Sequence, residues 1–270
     1  MGEYGALRAE TGVDRADRVI DALGPFGTFA GIVPPVFDAA VRILHPVEES
    51  GGRTVRWREV AEVAGTVLHP LAQWERLVGE HSAQYGPPRT GVLPLDELAV
   101  LAGALARHTT TPESCLAAFW EGFGVLTGGT SVLLTSVHGD PERPAWLDDD
   151  RPTGREHPEI AAAASIGLPG RDCLLLSLDV RALTDRAWAR ESGFADAPGL
   201  TEQTPTALWP EDLAWYLASE IDFDSTVIGG SRALVDEIVA LAAEGSIEAL
   251  ELPDEVDLTS AGDTVNRPRG

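Results

Sequence analysis

The sequence predicts an α+β protein, with a mainly helical N-terminal half (residues 13–127) packed against a mixed α/β C-terminal half (residues 131–252) that holds a small sheet. Three observations predict this. Apolar residues recur at helical spacing through the first half, short β-branched or wholly apolar runs are confined to the second, and proline and glycine punctuate between them. The halves are read as one compact unit, with a loop or linker at 139–158 and loose polar tails at 1–12 and 259–270.

The first helix carries Val13, Ala16, Val19, Ile20 and Leu23 and stops at Gly24-Pro25. Pro34-Pro35 open a second, with Val36, Phe37, Ala40, Val41 and Leu44 apolar, closed before Pro46. A third spans residues 57–64 and ends at Gly65, and a further apolar segment after Pro70 carries Leu71, Trp74, Leu77 and Val78. Residues 94–107 form a strong helix, with Leu95, Leu98, Leu101, Ala102 and Leu105 on one side. Thr111-Pro112-Glu113 offers a hydroxyl cap, a proline in the first turn and an acid for the helix dipole. It therefore predicts a helix carrying Cys115, Leu116, Phe119 and Trp120.

In the second half, residues 131–137 (SVLLTSV) read as a strand and residues 172–178 (DCLLLSL) as a buried one. Residues 180–190 read as a helix. Residues 214–221 and 225–228 form two strands, a hairpin across Asp222-Phe223-Asp224. A helix from 231 to 244 and a short strand within 247–252 complete the chain.

The composition narrows the function classes. Hydrophobic residues at 44% and charged residues at 23% match an ordinary globular protein and exclude a disordered chain. No apolar run reaches the roughly 18 residues a bilayer crossing needs. The start MGEYGALRAE lacks a secretory leader's basic and apolar regions, so the expected location is the cytoplasm. The net charge is −23, from 43 acids against 20 bases, and every base is arginine. That balance excludes phosphate-backbone recognition and docking on anionic membranes, and it steers a basic protein partner toward the chain. Arginine without lysine also points to a GC-rich genome.

Chemistry-bearing motifs are few. His45, His69, His81, His108, His138 and His157 form no HxH or HExxH pair, and three precede proline, where imidazole serves element boundaries. Cys115 and Cys173 sit in apolar runs and read as small buried hydrophobes. No nucleophile elbow, P-loop or dinucleotide fingerprint occurs. Gly229-Gly230-Ser231, between a strand and a helix, is a candidate anion-binding turn, against ordinary helix punctuation. Glu220, Asp222 and Asp224 would share one face if they lay on one strand, a set of oxygen ligands suited to magnesium or calcium. The alternative is a solvated strand face with Ile221 and Phe223 turned inward. Trp209 and Trp215, beside these acids, are candidates for an interaction surface.

Two resemblances follow from these residues. Residues 220–226 (EIDFDST) resemble the nucleophile motif of haloacid dehalogenase-like phosphatases, which implies Asp222 as nucleophile, Asp224 as proton donor and magnesium between them. The chain departs from that family by leaving too few residues after Thr226 for its remaining strand–helix units and by lacking the usual lysine, so the assignment is not made. Across most of its length the chain resembles a group of actinobacterial proteins of unknown function. The resemblance rests on Ile43-Leu44-His45-Pro46, Leu68-His69-Pro70-Leu71-Ala72-Gln73-Trp74, Thr111-Pro112-Glu113-Ser114-Cys115, Phe119-Trp120-Glu121-Gly122-Phe123-Gly124, Trp209-Pro210-Glu211-Asp212 and the segment from Glu220 to Ser231. It implies a soluble, cytoplasmic bacterial protein and brings no functional residues.

Two functional readings stand. The first is a non-catalytic binding protein, regulatory or immunity-type, whose acidic surface meets a basic protein partner and which needs no cofactor. The second is a divalent-metal-dependent phosphoester hydrolase using Glu220, Asp222 and Asp224, with Gly229-Gly230-Ser231 cradling the phosphate.

Overall fold

In the computed structural model, residues 5–127, 154–195 and 202–266 are described. The expected strand at 131–137 and most of the expected linker at 139–158 lie outside them. The chain builds strands β1 (Arg8–Ala9), β2 (Ala39–Leu44), β3 (Val47–Glu48), β4 (Thr54–Val55), β5 (Cys115–Trp120), β6 (Ala164–Leu168), β7 (Arg171–Leu178), β8 (Ala207–Pro210), β9 (Trp215–Ala218), β10 (Ser225–Gly230) and β11 (Ala249–Glu251). The helices are α1 (Asp17–Ala22), α2 (Trp57–Ala64), α3 (Trp74–Val78), α4 (Leu95–Arg107), α5 (Gly124–Thr127), α6 (Pro158–Ala162), α7 (Trp188–Glu191) and α8 (Arg232–Ala243).

Among the described residues, nine strands form one antiparallel sheet in the order β1-β7-β5-β8-β9-β10-β2-β11, with β6 sharing the outer edge of β7; β3 and β4 form a separate hairpin. This corrects the expected mainly helical first half and small C-terminal sheet. The first half supplies β2, between β10 and β11, and β5, between β7 and β8. The sequence predicts a helix at each.

The misreading has a physical cause. Helices α4 and α8 bury one face of the sheet, where Phe119, Leu176, Trp215, Leu217 and Ile228 join Leu98, Leu101 and Ile238. On the opposite face, α1, the chain around Phe29 to Phe37 and the segment from Leu252 to Leu258 cover Leu116, Cys173, Trp209 and Tyr216. A strand buried on both faces loses the apolar–polar alternation that marks a half-exposed one, so CLAAFW reads equally well as helix. The start signal at Thr111 is used differently. Thr109 and Thr110 donate to the carboxylate of Asp212 (2.8 and 2.7 Å), and the Thr110 amide donates to it as well (2.8 Å), which ties this loop to the β8–β9 turn.

Other elements follow the sequence reading. Helix α2 ends on Gly65 in the left-handed conformation (φ 66°), and Ser231 caps α8 by accepting from the Leu234 amide at 3.3 Å. Strands β9 and β10 pair as the expected hairpin. Residues 180–190 divide into a 3₁₀ turn (Val180–Thr184) and α7. The tails are docked where they are described: β1 pairs with β7, and Asp263 is fully buried.

A smaller core joins Leu44, Val47, Trp57, Trp74 and Leu77 under α2 and α3. Arg42 of β2, 2% exposed, fastens this lobe to the sheet. Its Nε donates to Ser225 Oγ (2.8 Å), Nη1 to the carbonyls of Pro70 (3.1 Å) and Ala72 (2.8 Å), and Nη2 to Asp224 (2.9 Å). Its guanidinium lies 5.6 Å from the centre of the Trp57 ring.

Candidate binding site

Strand β9 ends at Ala218, and the chain then turns, the Phe223 amide donating to the Glu220 carbonyl at 2.9 Å. The three acids therefore do not share a strand face. Glu220 points to Arg171, the first residue of β7, and pairs with it; the two side chains are 17% and 7% exposed. Asp224 turns to the buried Arg42 at 2.9 Å. Asp222, 77% exposed, stands 3.9 Å from Arg171. Among the described residues no group of three or more His, Cys, Asp or Glu converges as a metal cage, so the expected magnesium or calcium ligands are not brought together. Each of the two inner acids answers an arginine.

Burial raises the Glu220 carboxyl above its ordinary range, and the charge of Arg171 opposes that rise. One donor of the pair is unused: Arg171 Nε is buried without a hydrogen-bond partner, while Glu220 Oε1 faces Arg171 Nη2. Both residues line a small recess with Tyr216 and Thr206. That recess adjoins a larger cleft of about 430 Å³, formed by the chain from Phe26 to Ile32, Pro169 of the β6–β7 turn, the turn at 220–223 and the segment from Val256 to Thr259. Phe26, Phe29, Phe223 and Leu258 are among its apolar walls, and Glu220, Asp222 and Asp257 are its acids. Phe26 is 65% exposed and its ring lies on Gly170. Only glycine suits that position, because φ is +82° and a Cβ would lie 2.4 Å from the ring.

A second cleft, of about 260 Å³, lies beyond the ridge made by Phe29 and Val256, which line both. Pro35, Phe37, Asp38 and Asp254 line it, together with Gly229 and Arg232.

The expected anion turn is built otherwise. Gly229 and Gly230 are strand residues paired with Tyr216 and Trp215 of β9 on one side and with Ala40 and Ala39 of β2 on the other. Their small size serves packing, since a Cβ on Gly229 would lie 2.6 Å from Phe37 and from Val33. Ser231 spends its hydroxyl on the α8 cap. The expected interaction surface is likewise corrected. Trp209, 2% exposed, stacks on Tyr216 with ring centres 5.7 Å apart, and Trp215, fully buried on the other face, donates from Nε1 to the Leu105 carbonyl at 2.9 Å. Both tryptophans are core.

No protein family, curated protein or solved structure matches the chain. The geometry alone therefore carries the functional reading. Among the described residues, no helix is long and apolar enough to cross a membrane.

His45 and the two cysteines are committed to structure. His45, fully buried, shares a hydrogen bond with Thr226 (2.9 Å) and with the Arg89 carbonyl (2.7 Å), and burial pulls its pKa down to about 4. Ser219 joins Thr226 at 2.7 Å. All three side chains are sealed in the interior, so this chain of hydroxyls and imidazole braces the hairpin. Burial pushes the Cys115 and Cys173 thiols up to about 12. Sequence reasoning missed Phe26, Arg171 and Asp257. The only local signals were a phenylalanine between proline and glycine (Pro25-Phe26-Gly27) and an arginine opening a strand after Pro169-Gly170.

Proposed function

We propose that the protein is a non-catalytic binding protein that holds a basic protein partner on its acidic face. One observation carries this reading. Arg232, which lines the second cleft, is already paired with Glu251, and Arg171, in the recess beside the first, with Glu220, while Asp38, Asp254 and Asp257 form no ion pair among the described residues. The clefts thus combine apolar walls with three carboxylates that stand outside any ion pair, an arrangement complementary to a cationic, partly apolar surface. The net charge of −23 favours the same partners by long-range attraction.

The test is fluorescence anisotropy with a labelled arginine-rich peptide and a labelled glutamate-rich peptide, at low and high salt. The expected result is saturable one-to-one binding of the basic peptide alone, weakening as salt screens the carboxylates. The reading fails if the basic peptide does not saturate, if several copies bind, or if an unrelated protein of similar charge gives the same curve.

A further inference from the structure

We infer that the two clefts form one continuous docking groove for an extended basic segment of a partner protein, with one arginine or lysine side chain entering each cleft. The inference rests on the proposed binding function and assigns the site that performs it.

Three features support the groove. The same two stretches of chain run along both clefts, one from Phe26 to Ala40 and the other from Leu252 to Thr259; Phe29 and Val256 line both clefts, and the Leu252 amide donates to the Ala40 carbonyl at 2.9 Å within the second. A segment laid across the ridge would therefore reach both clefts without leaving these walls. Carboxylates stand on either side: Asp222 and Asp257 in the first cleft beside Glu220, and Asp38 and Asp254 in the second, where Arg232 is held by Glu251. Each cleft also presents an aromatic side chain, Phe26 in the first and Phe37 in the second, against which the stem of a long basic side chain packs and over which its charge is attracted.

A further observation favours a peptide over a free polyamine. The first cleft, at about 430 Å³, has room for an apolar side chain beside the cationic one, and the 65% exposed ring of Phe26 offers it a contact.

The experiment measures anisotropy of a labelled peptide carrying two arginines, each followed by leucine, on the full chain and four variants. Asp222→Asn with Asp257→Asn neutralises the first cleft, and Asp38→Asn with Asp254→Asn the second. Glu62→Gln with Glu75→Gln removes the same charge from exposed positions on α2 and α3. Phe26→Ala tests the apolar wall at an exposed residue. Each cleft pair is expected to weaken binding about tenfold and the α2–α3 pair less than about twofold. Phe26→Ala is expected to weaken this peptide more than one with glycine in place of both leucines.

Equal loss in all three acidic pairs would mean that only net charge matters, which overturns the groove and leaves a basic partner possible elsewhere on the surface. Loss in one cleft pair alone would overturn the two-cleft arrangement. Displacement by spermidine at matched charge concentration would replace the peptide with a polyamine and overturn the inference. Failure of the unaltered protein to bind the peptide would sink the groove and the proposed function together.

Discussion

The outer wall of both clefts depends on one buried carboxylate. Asp263 accepts hydrogen bonds from His69 Nε2 (2.9 Å) and from the amides of Gln73 (3.1 Å), Val265 (3.1 Å) and Asn266 (2.9 Å), while Asn266 exchanges two 2.9 Å bonds with the backbone of Val67. This clasp pins the C-terminal segment to the α2–α3 lobe. A carboxylate accepts only, so His69 donates from Nε2, which sets its tautomer. The donors hold the Asp263 carboxyl down at about 2, against an ordinary 3.8. That depression corresponds to about 2 kcal/mol of stability. Because the folded pKa lies below the unfolded one, this contribution is complete above pH 3.8 and disappears as the pH falls through about 2.

Substituting Asp263→Ala removes the charge and also strands buried donors, at roughly 1–3 kcal/mol for each group left unsatisfied. The expected loss is about 3–5 kcal/mol if the body and the segment unfold together. If the segment detaches alone, amide exchange should accelerate at 252–266 and not in α4 or α8. Urea denaturation monitored by tryptophan fluorescence, paired with hydrogen exchange by mass spectrometry, separates these outcomes. Stability within about 0.5 kcal/mol of the parent, with unchanged exchange at 252–266, would refute the clasp.

Three further outcomes are expected. Stability should fall between pH 6.5 and about 4, because the unfolded chain protonates His45 before the folded one does. The size of that effect is about 3 kcal/mol, and the slope should shrink in His45→Gln; equal slopes in the two proteins would contradict it. Gly229→Ala forces a methyl against Phe37 and Val33 and should cost about 1–3 kcal/mol in denaturant titrations. No cost there would mean that the two side chains move aside freely. Cys115 and Cys173 should resist a thiol reagent at neutral pH until the protein unfolds, then react at two equivalents; rapid labelling of the folded protein would disprove their burial.

Helices α2, α4 and α8 were legible because each keeps polar residues on its outer side, so their apolar positions recur at helical spacing. The β9–β10 hairpin was legible from two apolar runs separated by acids. Strands β2 and β5 were not, since covering both sheet faces erases alternation, and the helix-start residues at Thr111 turn out to bond Asp212, about a hundred positions along the chain.

By itself the sequence determined the amphipathic helices, the hairpin, the acidic balance and the absence of familiar catalytic fingerprints, all properties of short windows or of composition. Tertiary structure decided which elements became one sheet and what each acid faces. Glu220, Asp222 and Asp224 look equivalent in the chain, yet one is paired with Arg171, one is left in solvent and one is paired with Arg42. A carboxylate's chemistry depends on the charges and the burial around it, and here those come from residues far away in the sequence. The clefts are of the same kind: their walls come from stretches as distant as 26–40, 220–232 and 252–259 and meet only when the sheet forms.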